Sequence, residues 1–229
     1  MLFLAFNEND SNMLEIKTFT FNPFQENTYV LYDETKEAVI VDPGCYEKEE
    51  KEMLHNFILS KGLKVVKLLN THCHIDHVLG NAFVKRKYSV DLHVHPDDEV
   101  VLKSVESYAS NYGFQQFEPT AIDEYLKEGE DVRFGNTNLQ VIWVPGHAPG
   151  HVVFYHKESG NCIGGDTLFE GSIGRTDLPG GDHDTLLNAI RTQMFTLPDE
   201  TVVYPGHGPE TTIGQEKIHN PFVGERARF

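Results

Sequence analysis

Between positions 72 and 77 the chain places His72, His74, Asp76 and His77. Three imidazoles and a carboxylate in so short a run are hard to justify by packing, because such side chains are seldom buried without a partner. His72 and His74, two apart in a loop, can point at one ion. Asp76 and His77 offer a carboxylate and an imidazole to a second ion from the same turn. Downstream, His147, Asp166 and His207 each follow a glycine, in Pro145-Gly146-His147, Gly164-Gly165-Asp166 and Pro205-Gly206-His207. Glycine permits the sharp bend needed there. Imidazole together with carboxylate suits zinc, iron or manganese better than calcium or magnesium, which prefer oxygen ligands. Seven ligand candidates exceed the three or four that one catalytic ion takes from a protein. Two ions about 3.5–4 Å apart would use all seven, with Asp166 as the bridging carboxylate.

The elements that must position these residues are legible in the hydrophobic pattern. Residues 14–21, 28–32 and 37–41 alternate apolar and polar and read as consecutive antiparallel strands. Asp42-Pro43-Gly44 then supplies turn chemistry. A helix is expected over 47–61, with Met53, Leu54, Phe57 and Ile58 on one face. A short buried strand at 65–69 leads to His72, and a helix is expected to run from there through Lys87. A strand at 92–95 follows, then a helix opened by Pro96 and reaching about Asn111. Residues 113–129 are the least regular part and read as a flap or lid. Strands at 132–134 and 139–144 form a hairpin around Gly135-Asn136. Strands at 152–156 and 161–165, a helix from about Asp184 to Phe195 and a strand at 201–204 complete the pattern. Taken singly, His147, Asp166 and His207 would be assigned to turns or core. Their places just beyond the strands ending at 144, 165 and 204 instead match His72 beyond 69, where a rigid scaffold presents functional groups.

Composition limits the function classes. The chain has 229 residues, 39% of them hydrophobic, and a formal charge of −16, which argues against nucleic acid as partner. No stretch approaches the roughly 18–20 apolar residues of a membrane helix. Met1–Phe6 is apolar but lacks the basic flank and length of a signal peptide, so a cytoplasmic protein is expected. Cys45, Cys73 and Cys162 are odd in number and widely spaced, which fits free thiols in a reducing compartment. With no linker or low-complexity tract, one domain over 1–229 is expected, residues 1–12 being an extension.

The string His72-Cys73-His74-Ile75-Asp76-His77, followed in order by His147, Asp166 and His207, resembles the signature of the metallo-β-lactamase superfamily, from about Leu14 to Phe222. The resemblance implies an α/β fold, an αββα sandwich of two mixed β-sheets flanked by helices, with the metals at one edge of the sheets. It assigns His72, His74 and His147 to the first metal, Asp76, His77 and His207 to the second, and Asp166 to the bridge. It also suggests that Asp42 supports the metal loop from behind. Gly165-Asp166-Thr167-Leu168-Phe169 and Gly174-Arg175-Thr176-Asp177 resemble the glyoxalase II and persulfide dioxygenase branches. The segment 205–214 with Asn220-Pro221-Phe222 is most similar to short glyoxalase-II-like hydrolases. Full-length glyoxalase II grips glutathione with a helical C-terminal domain. None follows His207 in this sequence, so the thiol half of the substrate is not expected to be set by such a domain.

The resemblance implies a small-molecule thioester as substrate, cleaved by a hydroxide bridging two divalent ions, zinc first with iron or manganese as alternatives. Asp76 would orient that hydroxide or take its proton, and the metals would stabilise the oxyanion. A thiol leaves as thiolate without a strong acid, its pKa being near 8.5. The alternative is a mononuclear iron persulfide dioxygenase using His72, His147 and Asp166 as a facial triad. Among the remaining candidates, Cys73 should face away from the metals and His151 reads as a supporting histidine. Arg175 either meets an anionic substrate or pairs with Asp177 or Asp182.

Overall fold

The protein is described by a computed structural model that covers residues 14–225 and 227; the expected extension at 1–12 lies outside the described residues. The N-terminal half builds one six-stranded sheet from β1 (Glu15–Phe21), β2 (Glu26–Tyr32), β3 (Glu37–Val41), β4 (Lys64–Leu69), β5 (Leu92–Val94) and β6 (Glu124–Tyr125), in that spatial order. The first three strands are antiparallel, and β3 to β6 run parallel. Parallel neighbours need crossovers, and these are α1 (Lys48–Lys61), the pair α2 (Ile75–Val78) and α3 (Asn81–Tyr88), and α4 (Glu99–Tyr108).

The second sheet holds β7 (Asp131–Phe134), β8 (Thr137–Trp143), β9 (Val152–His156), β10 (Asn161–Gly165), β13 (Val202–Pro205) and β14 (Thr211–Thr212). They lie in the order β14-β13-β10-β9-β8-β7, with β10 and β13 parallel and the other pairs antiparallel. A two-stranded ribbon, β11 (Leu168–Phe169) and β12 (Ser172–Ile173), precedes α5 (His183–Thr192), and α6 (Ile213–His219) follows β14.

Alternation along the strands produces the layers. In β3, Val39 and Val41 face the second sheet and join Leu31, Leu69, Val141, Phe154 and Ile163 in the central core. Ala38 and Ile40 point the other way, into the layer with Leu54 and Ile58 of α1 and Val105 of α4. A third apolar layer sets Val153 and Val203 against Leu186, Leu187 and Ile190 of α5. The architecture is the expected αββα sandwich of two mixed sheets.

Several elements differ from the sequence reading. The helix expected from the His72 cluster to Lys87 breaks at Gly80, whose amide donates to Pro43 O at 2.7 Å. A Cβ there would lie 2.6 Å from Cys45 Sγ, so the break is what lets the 72–79 segment pack on the 43–45 turn. On α1, Leu54 and Ile58 are buried but Met53 is 56% exposed. The irregular 113–129 stretch is anchored by buried Phe114 and Leu126 and contributes β6. Strands β11, β12 and β14 and helix α6 are too short to register as a pattern.

Candidate metal centre

The loops that follow four strands bring the seven candidate residues to one edge of the sandwich. β4 delivers the 72–77 loop, β8 leads to His147, β10 to Asp166 and β13 to His207. Ligand atoms of His72, His74 and His147 lie within 4.8 Å of one another, as do those of Asp76, His77 and His207. In the first group His74 Nδ1 is 2.8 Å from His147 Nε2, which is 3.2 Å from His72 Nε2. In the second, His207 Nε2 is 3.1 Å from Asp76 Oδ2. Asp166 lies between the groups. Its Oδ1 is 3.5 Å from His77 Nε2, and its Oδ2 is 3.6 Å from His147 Nε2 and 3.5 Å from His207 Nε2.

The far sides of His147, His207 and His77 are held so that the near nitrogen faces the centre, the usual arrangement behind metal-binding histidines. His147 Nδ1 donates to Arg175 O at 2.7 Å, and His207 Nδ1 to Phe24 O at 3.1 Å. His77 Nδ1 donates to Asp42 Oδ2 at 3.1 Å. Asp42 also accepts from Thr71 N and Thr71 Oγ1, and holds an unfavourable φ of +49° to do so. Asp42 therefore sits behind the 72–77 loop. His151 stacks on His72 with ring centroids 4.8 Å apart, and its Nε2 accepts the Asp166 amide at 3.0 Å. Cys73 turns into the outer apolar layer. Arg175 pairs with Asp177 through two contacts of 2.7 Å.

Electrostatics divides the centre. Burial, reinforced by neighbouring histidines, drives His72 well below its ordinary value and His74 down to about 3. Burial also lowers His147, against the pull of Asp166. These three rings stay neutral, as coordination requires. Burial opposes protonation of His77 and His207 too, but Asp166 and Asp76 outweigh it and raise both. Asp166 is lowered despite its burial, chiefly by His77. His77 Nε2 and Asp166 Oδ1 are buried without a hydrogen-bond partner. An imidazole nitrogen and a carboxylate oxygen left bare and facing each other are what a divalent cation would satisfy. The donor set fits a dinuclear site.

Four supporting residues escaped the sequence reading. Asp98 accepts from Cys73 N at 2.6 Å and Gly150 N at 2.8 Å, tying the two halves' ligand loops together. Asn81 donates to Asn70 Oδ1, and Asn70 donates to His77 O. Buried Glu26 lies behind His77, with Oε1 3.9 Å from Nδ1. Asp98 and Glu26 are far in sequence from what they support, and none of the four carries a local motif.

The model of the metallo-beta-lactamase superfamily matches residues 21–207. The chain belongs to this superfamily. Within it, the chain is 35% identical over 216 residues to the hydroxyacylglutathione hydrolase GloC of Haemophilus influenzae, covering 93% of this chain and all of the relative. Among solved structures, TTHA1623 in a di-iron-bound form is 36% identical with a TM-score of 0.79, over 90% of this chain and 100% of the other. ETHE1 from Myxococcus xanthus is 25% identical with a TM-score of 0.75, over 91% and 84%. Superfamily membership and the relative's hydrolase activity support a metal-dependent hydrolase.

Proposed function

We propose that the protein hydrolyses a small thioester in the manner of glyoxalase II. Two divalent ions, zinc first with iron or manganese as alternatives, would be held by His72, His74 and His147 and by Asp76, His77 and His207, with Asp166 shared. The observation that supports this reading is Asp166 itself, whose two oxygens face histidines of both groups. The similarity to a hydroxyacylglutathione hydrolase supports the thioester.

When bound, the ions supply an acidified water and Lewis acidity for the carbonyl and its developing oxyanion. Asp76 lines the cleft and orients the attacking water, accepting its proton at the carboxylate. His207, 3.1 Å from Asp76 Oδ2, keeps that carboxylate aimed. The leaving thiol departs as thiolate without a general acid, given its pKa near 8.5. His151 and Asp42 hold the surrounding loops and touch no substrate.

Metal-loaded protein should release free thiol from S-lactoylglutathione or smaller thioesters under strictly anaerobic conditions. Asp76→Ala and His207→Ala should each cut that rate about a hundredfold or more with the fold retained by circular dichroism. Oxygen consumption with glutathione persulfide, dependent on one Fe(II) and indifferent to His207→Ala, would replace this reading with the dioxygenase. Its failure to appear alongside anaerobic thiol release would exclude that alternative.

A further inference from the structure

The candidate centre opens into a cleft of about 920 Å³, large enough for a ligand well beyond a lactoyl group. One wall is an aromatic run that starts at the centre. Phe24, whose carbonyl holds His207, has its ring 6.0 Å from that of Tyr112, and Tyr112 is 5.8 Å from Tyr108. Val100 of α4 and Leu178 continue the lining. The mouth is equally apolar, with Val100 68%, Tyr112 55% and Phe24 41% exposed. Large apolar side chains gathered in the open around a cleft mark a binding surface.

Charge points the same way. Arg175 is the only lysine or arginine lining the cleft among the described residues, and Asp177 neutralises it through two 2.7 Å contacts. The whole chain carries −16. Along the walls, away from the candidate metal centre, a substrate with a net negative charge would meet no unpaired lysine or arginine.

Resting on the thioesterase reading, we propose that the cleft selects thioesters whose arm beyond the carbonyl is uncharged and apolar, in preference to anionic glutathione conjugates. The arm lies along Phe24, Tyr112 and Tyr108 with its far end at Val100. Recognition is by burial of hydrocarbon, so catalytic efficiency tracks the length of that arm.

The test uses metal-loaded protein with N-acetylcysteamine thioesters from acetyl to hexanoyl, beside S-lactoylglutathione. We expect kcat/KM to rise about fourfold for each methylene the cleft buries. Val100→Lys, at an exposed position that tolerates the change, should flatten the chain-length series and raise kcat/KM for S-lactoylglutathione. Calorimetry with the non-hydrolysable S-hexyl and S-methyl thioethers of N-acetylcysteamine reads binding apart from turnover. Tighter hexyl binding without hydrolysis of any thioester would overturn the thioesterase reading and uphold the apolar cleft. A flat series with S-lactoylglutathione preferred would overturn the selectivity and leave the thioesterase standing. Equal binding of hexyl and methyl probes would also overturn it.

Discussion

The carboxylate of Asp98 accepts the amide of Cys73 at 2.6 Å, so a residue at the start of α4 holds the peptide between His72 and His74. Its other oxygen takes Gly150 N, three residues beyond His147. One buried side chain thus sets the distance between loops from the two halves.

Asp98→Ala should orphan both amides, each at a cost of about 1–3 kcal/mol. The midpoint of urea unfolding should fall accordingly, and metal affinity should drop although no candidate ligand is altered. Unchanged stability and unchanged metal affinity would show that the clamp is dispensable.

Asp166 should govern both metal positions. The wild-type protein should hold close to two ions per chain by elemental analysis, and Asp166→Ala should reduce both. Gly206→Ala should imitate it without removing a ligand. A Cβ at Gly206 would run into Asp166 Oδ1 and lie 2.7 Å from His77 Cε1. Full occupancy in Gly206→Ala would show that the loop yields without disturbing the centre.

Acid should act on the metal-free protein through its buried histidines. Burial lowers His72, His74, His147 and His151 in the folded state. Below about pH 6.5 the unfolded chain therefore binds protons that the native state refuses, and stability falls as pH falls. His77 and His207 are raised, so their contribution is complete below about pH 6.5 and is lost as pH rises through their folded values. On the acid side the two raised groups are protonated in both states, so the lowered ones set the slope. The melting temperature of chelator-treated protein should peak near neutrality and drop towards pH 5, with added metal moving the acid limb downward. A melting temperature indifferent to pH between 5 and 7 would contradict the neutral, buried ligand trio.

The chain alone determined the class of chemistry and most of the scaffold. His72, His74, Asp76 and His77 are close in sequence, and each later candidate follows a glycine at a strand end, so spacing suffices to find them. The strands that lead to the candidate ligands show as short, largely apolar runs between turn signals, and α1, α4 and α5 are long enough to show a helical face. What only the tertiary structure decided depends on contacts between residues far apart in the chain. Asp98 looks like an ordinary polar residue until the two halves meet, and Asn81 and Glu26 look so until the first half folds on itself. The aromatic wall of Phe24, Tyr108 and Tyr112 is likewise assembled from separate elements. Local propensity acts over a few residues and hydrophobic period over one element, whereas the walls of a cleft are set by how whole layers pack.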